Sequence, residues 1–117
     1  MKILFAVGDN LRTRSGVVSA QNMFSPWVRI DNTRAGADAA FTAALVDDST
    51  TLSCTWVIQA RRVLTDTTYG VIADIFTSSA LSNGGYQTGS MRGVWEFRVG
   101  VKTGGYTAGA GVASINW

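Results

Sequence analysis

Apolar and polar residues alternate along several stretches of the chain, most clearly between residues 95 and 102. In that stretch the apolar residues Trp95, Phe97, Val99 and Val101 alternate with Glu96, Arg98, Gly100 and Lys102. A period of two places one set on a core and the other on a surface when the backbone is a β-strand. The stretch therefore predicts a strand whose aromatic side is buried.

A second alternating stretch follows a glycine-rich segment and runs to Trp117. Ala113, Ile115 and Trp117 alternate with Val112, Ser114 and Asn116. Glycine adopts turn conformations at no steric cost, so the glycines between the two stretches favour a turn. We expect two strands joined by a glycine-rich turn.

The middle of the chain predicts two more strands. Residues 51–61 place Leu52, Cys54, Trp56, Ile58 and Ala60 on one face, and the mostly polar opposite face is typical of an antiparallel sheet solvated on one side. Residues 39–46 also alternate, although their alanines favour a helix. A strand is preferred there because residues 47–50 then form a tight turn into the next strand.

Weaker patterns predict further short strands at residues 3–7, 16–20, 27–31 and 69–76. The strand at 27–31 is expected at a sheet edge because Pro26, which cannot donate a backbone hydrogen bond, precedes it. Residues 77–93 hold four glycines and four serines and predict a long loop with Tyr86 as an anchor. Long loops in compact domains are usually functional or mobile.

Several short strands separated by turn residues define the expected fold class. A chain of 117 residues has the size of one domain. We expect an all-β fold, in which residues 1–117 form a single small antiparallel β-sandwich or jelly-roll-like domain.

Composition adds that the surface should be neutral and polar. Charged residues are 15% of the chain, and arginine supplies eight of the ten basic residues. Arginine is enriched at protein interfaces and lysine is depleted there, so this surface suits protein contact. The net charge of +2 is scattered, without the basic stripe of a nucleic-acid binder. No apolar run approaches the ~20 residues of a membrane span, so neither nucleic acid nor a membrane is an expected partner.

The residue types present argue against an enzyme. The chain has no histidine, which excludes Ser-His-Asp and Cys-His catalysis within it. Cys54, the one cysteine, predicts a buried thiol, and Asp47-Asp48 predicts a solvated turn rather than a calcium site. Glu96, the one glutamate, is expected to pair across strands with an arginine such as Arg61 rather than to act in a glycosidase carboxylate pair. No cofactor or metal is expected.

Aromatic and arginine side chains supply the candidate interface. Trp56 and Trp95 share faces with aliphatic residues and are predicted to be core, whereas Trp27 and Trp117 could be exposed. The candidate interface residues are Arg12, Arg14, Trp27, Tyr86, Arg92 and Trp117.

Four sequence segments resemble a known group of proteins. They are the W-V-I-Q of residues 56–59, the glycine- and asparagine-rich 82–93, the R-V-G-V of 98–101 and the Y-T-A-G of 106–109. Over residues 41–117 this pattern resembles small β-sandwich virion proteins of tailed bacteriophages, with a W-x-[V/I]-Q strand, a variable loop, an aromatic or arginine-bearing strand and a final T-x-G hairpin. The chain departs from that pattern where Arg61-Arg62 replaces the usual acidic turn.

The resemblance implies a non-enzymatic virion structural protein. It suggests a capsid decoration or cement protein, made in the host cytoplasm, that binds the major capsid protein on the outer surface of the head. It also implies a homo-oligomer, for which trimers are common in this group. The alternatives are a neck, tail or fibre component, or a carbohydrate- or receptor-binding module that stacks Trp27, Tyr86, Tyr106 or Trp117 on a sugar.

Overall fold

A computed structural model describes residues 12–33, 41–48 and 51–117 of the chain. Within these ranges the ordered elements are all strands. In chain order they are β1 (Thr13–Val18), β2 (Met23–Phe24), β3 (Val28–Asn32), β4 (Phe41–Asp47), β5 (Ser53–Cys54), β6 (Val57–Thr65), β7 (Thr68–Tyr69), β8 (Ala73–Thr77), β9 (Gly84–Gly89), β10 (Gly93–Val101), β11 (Tyr106–Ala108) and β12 (Gly111–Asn116). The predicted strand at residues 3–7 and the second half of the predicted turn at 47–50 lie outside the described residues.

The strands form two main antiparallel sheets and one small ribbon. Sheet A has the order β1-β12-β4-β9. Sheet B has β10 and β6 at its centre, with β2 and β3 paired to β10 and with β7 and β8 paired to β6. The ribbon consists of β5 and β11. The prediction of an all-β antiparallel sandwich is confirmed.

The connections give this sandwich the topology of a jelly roll. Strand β1 pairs with β12, β2 and β3 pair with β10, β4 pairs with β9, and β6 pairs with β8. Early strands therefore pair with late ones in nested order, as when a long hairpin is rolled up into two sheets. Two Greek keys wound in this way define a jelly roll.

The core between the sheets follows the alternation in the sequence. Its largest fully buried side chains include Phe97, Leu45, Leu52, Ile58 and Ile115. The rings of Phe41 and Phe97 meet across the sheets with centroids 4.3 Å apart. Trp56 and Cys54 are buried as predicted, and Trp95 packs against the core.

The strand predicted at residues 51–61 is interrupted. Its apolar face is buried as expected, but β5 ends at Cys54 and β6 begins at Val57. The backbone changes partners between them, because the Thr55 N–H donates to the Gly105 carbonyl and the Trp56 N–H donates to Ser78 Oγ. The prediction that the opposite face is solvated is wrong for Val57 and Gln59, which are buried in sheet B.

The prediction of a long loop at residues 77–93 is wrong, because it contains β9. Strand β9 pairs residue by residue with β4, from Phe41 opposite Gly89 to Val46 opposite Gly84. Its sequence, GGYQTG, has the composition of a turn, and its extended form comes from pairing with a strongly alternating neighbour. The segment predicted at 69–76 likewise divides into β7 and β8.

The glycine-rich turn near the end of the sequence does not join two paired strands. Strands β10 and β12 exist as predicted but lie in different sheets, and β11 between them pairs with β5. The connection therefore crosses from sheet B to sheet A. At the other end of the sequence, β1 begins at Thr13 rather than at residue 16, and β3 lies at an edge of sheet B as predicted, one residue later than expected.

Candidate protein-interaction surface

The outer face of sheet B carries a buried carboxylate held by two arginines. Glu96 on β10 lies opposite Arg29 on β3 and Arg61 on β6. Its carboxylate accepts hydrogen bonds from Arg29 Nε at 3.0 Å and from Arg61 Nε at 2.9 Å and Nη2 at 2.6 Å. The predicted pairing of Glu96 with Arg61 is confirmed. The expectation that this face is solvated is wrong for Glu96, which is only 7% exposed.

Aromatic rings stack on Arg61 and on a third arginine of the same face, Arg98. The guanidinium carbon of Arg61 lies 4.1 Å from the ring centroid of Trp27 and 3.7 Å from that of Tyr69. The guanidinium of Arg98 lies 3.9 Å from the ring of Phe24 and 4.5 Å from that of Trp27. Cation–π contacts of this kind stabilise partly desolvated arginines. Trp27 is therefore committed to arginine stacking and does not form an open platform.

Polar side chains extend this arrangement across the sheet. Arg98 Nε donates to Gln59 Oε1, and Gln59 Nε2 donates to Asp74 Oδ1, both at 2.9 Å. Lys102 Nζ reaches the other oxygen of Asp74 at 2.6 Å. The hydrogen bond from Lys102 lowers the pKa of the Asp74 carboxyl, while burial lowers the pKa of Arg98. We use the name arginine–aromatic network for Arg29, Arg61, Arg98, Lys102, Glu96, Asp74 and Gln59 together with the rings of Phe24, Trp27 and Tyr69. The charged groups of this network already have partners within the chain.

Among the residues that the structure describes, the four strands of sheet A carry no charged side chain on their outer face. Because alternate residues of its strands are buried, the residues between them point outward. We call these outward residues the uncharged face. They form three rows across β1, β12, β4 and β9, which are Val17, Val112, Val46 and Gly84; Ser15, Ser114, Ala44 and Tyr86; and Thr13, Asn116, Thr42 and Thr88.

Three valines form an exposed strip on the uncharged face. Val17, Val112 and Val46 lie directly opposite one another on adjacent strands and are 42 to 58% exposed. Tyr86, one row away, is 74% exposed. Four strands of six residues cover roughly 20 by 20 Å, or about 400 Å² in plan. The valine strip and Tyr86 are the exposed apolar groups on this area, which makes the face a candidate for contact with another protein.

Sequence reasoning missed this strip, although a signal for it was present. Val112 occupies the polar phase of its strand, beside Ser114 and Asn116. An aliphatic residue in the solvent phase becomes informative when neighbouring strands place others beside it. The registry that aligns Val17 and Val46 with it comes only from the sheet order, which the sequence pattern does not specify.

The structure divides the predicted interface residues among several places. Arg12 and Trp117 are neighbours, since the backbone groups of each bond to the other at 3.1 and 3.0 Å. Arg14 is exposed on β1, near this pair, while Trp117 packs partly against the core. Tyr86 is on the uncharged face, at the opposite edge of sheet A.

Trp27 and Arg92 lie apart from that face. Trp27 belongs to the arginine–aromatic network of sheet B. Arg92 is exposed, and its carbonyl accepts a hydrogen bond from Trp95 Nε1 at 2.8 Å. The six residues therefore do not form one surface.

A shallow depression lies beside Tyr86 on sheet A. It measures about 390 Å³ and is lined by residues that include Tyr86, Val46, Asp47, Asn83 and Gly85. It combines an exposed aromatic ring with a carboxylate and an amide at its border.

Neither of the other two aromatic residues proposed for sugar stacking on this side of the chain offers such a site. The hydroxyl of Tyr106 donates to the Gly109 carbonyl at 2.7 Å, and both Tyr106 and Trp117 pack against the core.

The described part of the chain contains no group of three or more His, Cys, Asp or Glu side chains arranged to hold a metal ion. No helix in it is long and apolar enough to cross a membrane. No protein-family model and no curated protein matches this chain.

Proposed function

We propose that the chain is a non-enzymatic structural protein of a tailed-phage virion. It acts as a decoration or cement protein that binds neighbouring major capsid subunits on the outer surface of the head. The observation that carries the proposal is the uncharged face, where an exposed strip of valines lies on a rigid sheet. Jelly rolls occur in viral capsid and lectin domains, which supports the proposal by analogy of fold alone.

The two outer faces of the sandwich suit different roles. On sheet B, ion pairs and ring contacts already occupy the charged groups, so a partner would have to break them. On sheet A, docking removes valine and hydroxyl-bearing side chains from water without desolvating a charge, which is the expensive step in burying a polar surface. Sheet A is therefore the face that binds the shell.

The size of the face determines how binding works. About 400 Å² in plan is below the roughly 800 Å² that each partner buries in a standard stable interface. A single contact is then weak, and a lattice of repeated sites strengthens it because linked contacts add through effective concentration. This suits a protein that occupies many equivalent positions on a capsid.

The test is co-sedimentation of the purified protein with expanded empty phage heads. The wild-type chain should bind at a saturating ratio to the capsid protein and raise the temperature at which the shell breaks down. Val112→Lys places a charge in the middle of the valine strip, between Val17 and Val46, and should weaken binding at least ~10-fold, equivalent to about 1.4 kcal/mol.

Val71→Lys is the matched control, because Val71 is 87% exposed and lies outside sheet A. It should bind like wild type. Absence of wild-type binding to heads, or equal binding by Val112→Lys, would contradict the proposal. Binding to purified tails but not to heads would instead assign the protein to the neck, tail or fibre.

The depression beside Tyr86 favours one alternative, a carbohydrate-binding module. Exposed aromatic rings stack on the faces of sugars, and a carboxylate and an amide at the border could bind hydroxyl groups. If this alternative holds, the NMR signals of Val46 and Asn83, which line the depression with Tyr86, shift when neutral glycans are added, and Tyr86→Ala abolishes these shifts. Val112→Lys would leave sugar binding intact, which separates the two functions.

A further inference from the structure

Strand β9 forms one edge of sheet A and has an unpaired side. It pairs with β4 along its whole length, and no other strand of the described residues pairs with it. In an antiparallel strand, alternate residues direct their N–H and C=O groups to opposite sides, so half of the six residues face away from β4. At the start of the strand the Ser82 hydroxyl bonds both the N–H and the carbonyl of Gly84 at 3.1 Å, while no described strand occupies the rest of the edge.

Natural sheets protect their edges, and the other edges of this sandwich carry such protection. Strand β3 follows Pro26 and carries Arg29, and β1 carries Arg14. Strand β8 has a bulge at Ile75 and a charge at Asp74. Charges, prolines and bulges are the usual means of preventing a further strand from adding.

The β9 edge has none of these features. Its sequence, GGYQTG, contains no charge and no proline, and its register with β4 continues without a shift. Three of its six residues are glycines, so few side chains obstruct an approaching backbone. An edge of this kind is a template for strand addition.

We infer that β9 is a strand-addition edge at which a second copy of this chain binds, with the two β9 strands antiparallel about a two-fold axis. Charge is compatible with this pairing, because a chain of net charge +2 meets its copy through a segment without charge. When Tyr86 lies opposite Tyr86 of the partner, or Gln87 opposite Gln87 of the partner, each residue pairs with one that points to the same side of the sheet. The outer faces of the two copies then lie on the same side of the joined sheet.

The pairing extends the sheet and the face on it. Two four-stranded sheets become one sheet of eight strands, and the two uncharged faces become continuous across the axis. The dimer does not depend on the proposed function, although it would double the area that one unit presents to a partner.

The first measurement is sedimentation velocity over a concentration series that reaches the millimolar range. A monomer–dimer equilibrium is expected. Thr88→Asp should weaken the dimer at least ~10-fold, because it places like charges near the axis on both copies. The matched control is Thr13→Asp, the same change in the same row of the same face but at the opposite edge of sheet A, and it should change the dissociation constant less than ~2-fold.

Cysteine cross-linking tests the geometry. Single replacements at Tyr86, Gln87 and Thr88 place a thiol on or beside the two-fold axis, and at least one of them should form a disulfide dimer under mild oxidation, whereas Thr13→Cys should not. The native Cys54 is buried and does not interfere.

Three results would overturn the inference. They are a monomer at every concentration, a trimer, and a dimer that Thr13→Asp disrupts as strongly as Thr88→Asp. Sedimentation velocity of the chain alone reports on the dimer, and co-sedimentation with phage heads reports on the proposed function. Loss of the dimer and failure of the proposed function are therefore distinguishable.

Discussion

Glu96→Gln is the sharpest test of the view that the outer face of sheet B is an internally satisfied structure. The change keeps the shape of the side chain and removes its charge. Two guanidinium groups then lose their shared partner at a position that is 7% exposed. Removing one member of a buried ion pair costs about 3–5 kcal/mol, because the remaining charge is left without compensation.

The exposure of the arginines reduces that figure. The side chains of Arg29 and Arg61 are 36% and 20% exposed, so water can solvate both in part once the carboxylate is gone. We therefore expect a loss of about 2–3 kcal/mol in the free energy of unfolding. At an unfolding entropy of about 2.1 cal/mol/K per residue, this lowers Tm by roughly 10 °C for a chain of 117 residues.

Urea unfolding followed by tryptophan fluorescence, together with calorimetry, measures this loss. Lys102→Gln is the control, because it removes an exposed ion pair to Asp74 and should cost less than ~1 kcal/mol. About 1 M NaCl should reduce the loss of unfolding free energy in Lys102→Gln, because salt screens an exposed pair, and should leave most of the loss in Glu96→Gln. If Glu96→Gln unfolds within ~0.5 kcal/mol of wild type, the network contributes little and sheet B becomes available as a docking face.

Three further predictions concern other parts of the fold. Gly100→Ala should destabilise the chain by about 3 kcal/mol in urea unfolding, because the added Cβ collides with the backbone of β2 and lies 2.6 Å from Phe24 Cα; wild-type stability would contradict that packing. The pKa of Asp74 is lowered, so its ion pair stabilises the fold above the pKa of an unfolded aspartate and is lost as the pH falls through the lower folded value. Asp74→Asn should therefore flatten the fall of the urea midpoint below about pH 4, and an unchanged profile would refute this assignment. Burial raises the pKa of the Cys54 thiol, so a thiol reagent at mildly alkaline pH should label unfolded but not native protein; fast native labelling would mean that β5 opens readily.

The elements that sequence alone predicted are those whose own side chains decide their structure. In β4, β10 and β12 the alternation predicts both the strand and its buried side, since each is flanked by sheet neighbours and covered on one face. Strand β9 could not be found in this way. Its glycines carry no pattern, and only the register with β4 makes it extended.

The faces of the sheets were harder to predict than the strands. Glu96 and Gln59 occupy solvent-phase positions, yet they are buried beside arginines of neighbouring strands that bond to them and that in turn stack on aromatic rings. The valine strip is the converse case, where apolar side chains remain in solvent. Both depend on which strands are neighbours, and a jelly roll brings together strands that are distant in sequence.

That distance governs how the protein reaches its folded state. The pairing of β1 with β12 places Thr13 in hydrogen-bond contact with Asn116, 103 residues away, and β12 also separates β1 from β4. Domains dominated by such non-local pairs fold slowly, on a scale of roughly milliseconds to seconds, because long loops must close before their contacts form. The uncharged face does not exist until β12 has inserted, since β12 is one of its two central strands and contributes a residue to each of its rows. Under the proposed function, incorporation of the chain into a larger assembly would therefore be limited to molecules in which β12 has already inserted between β1 and β4.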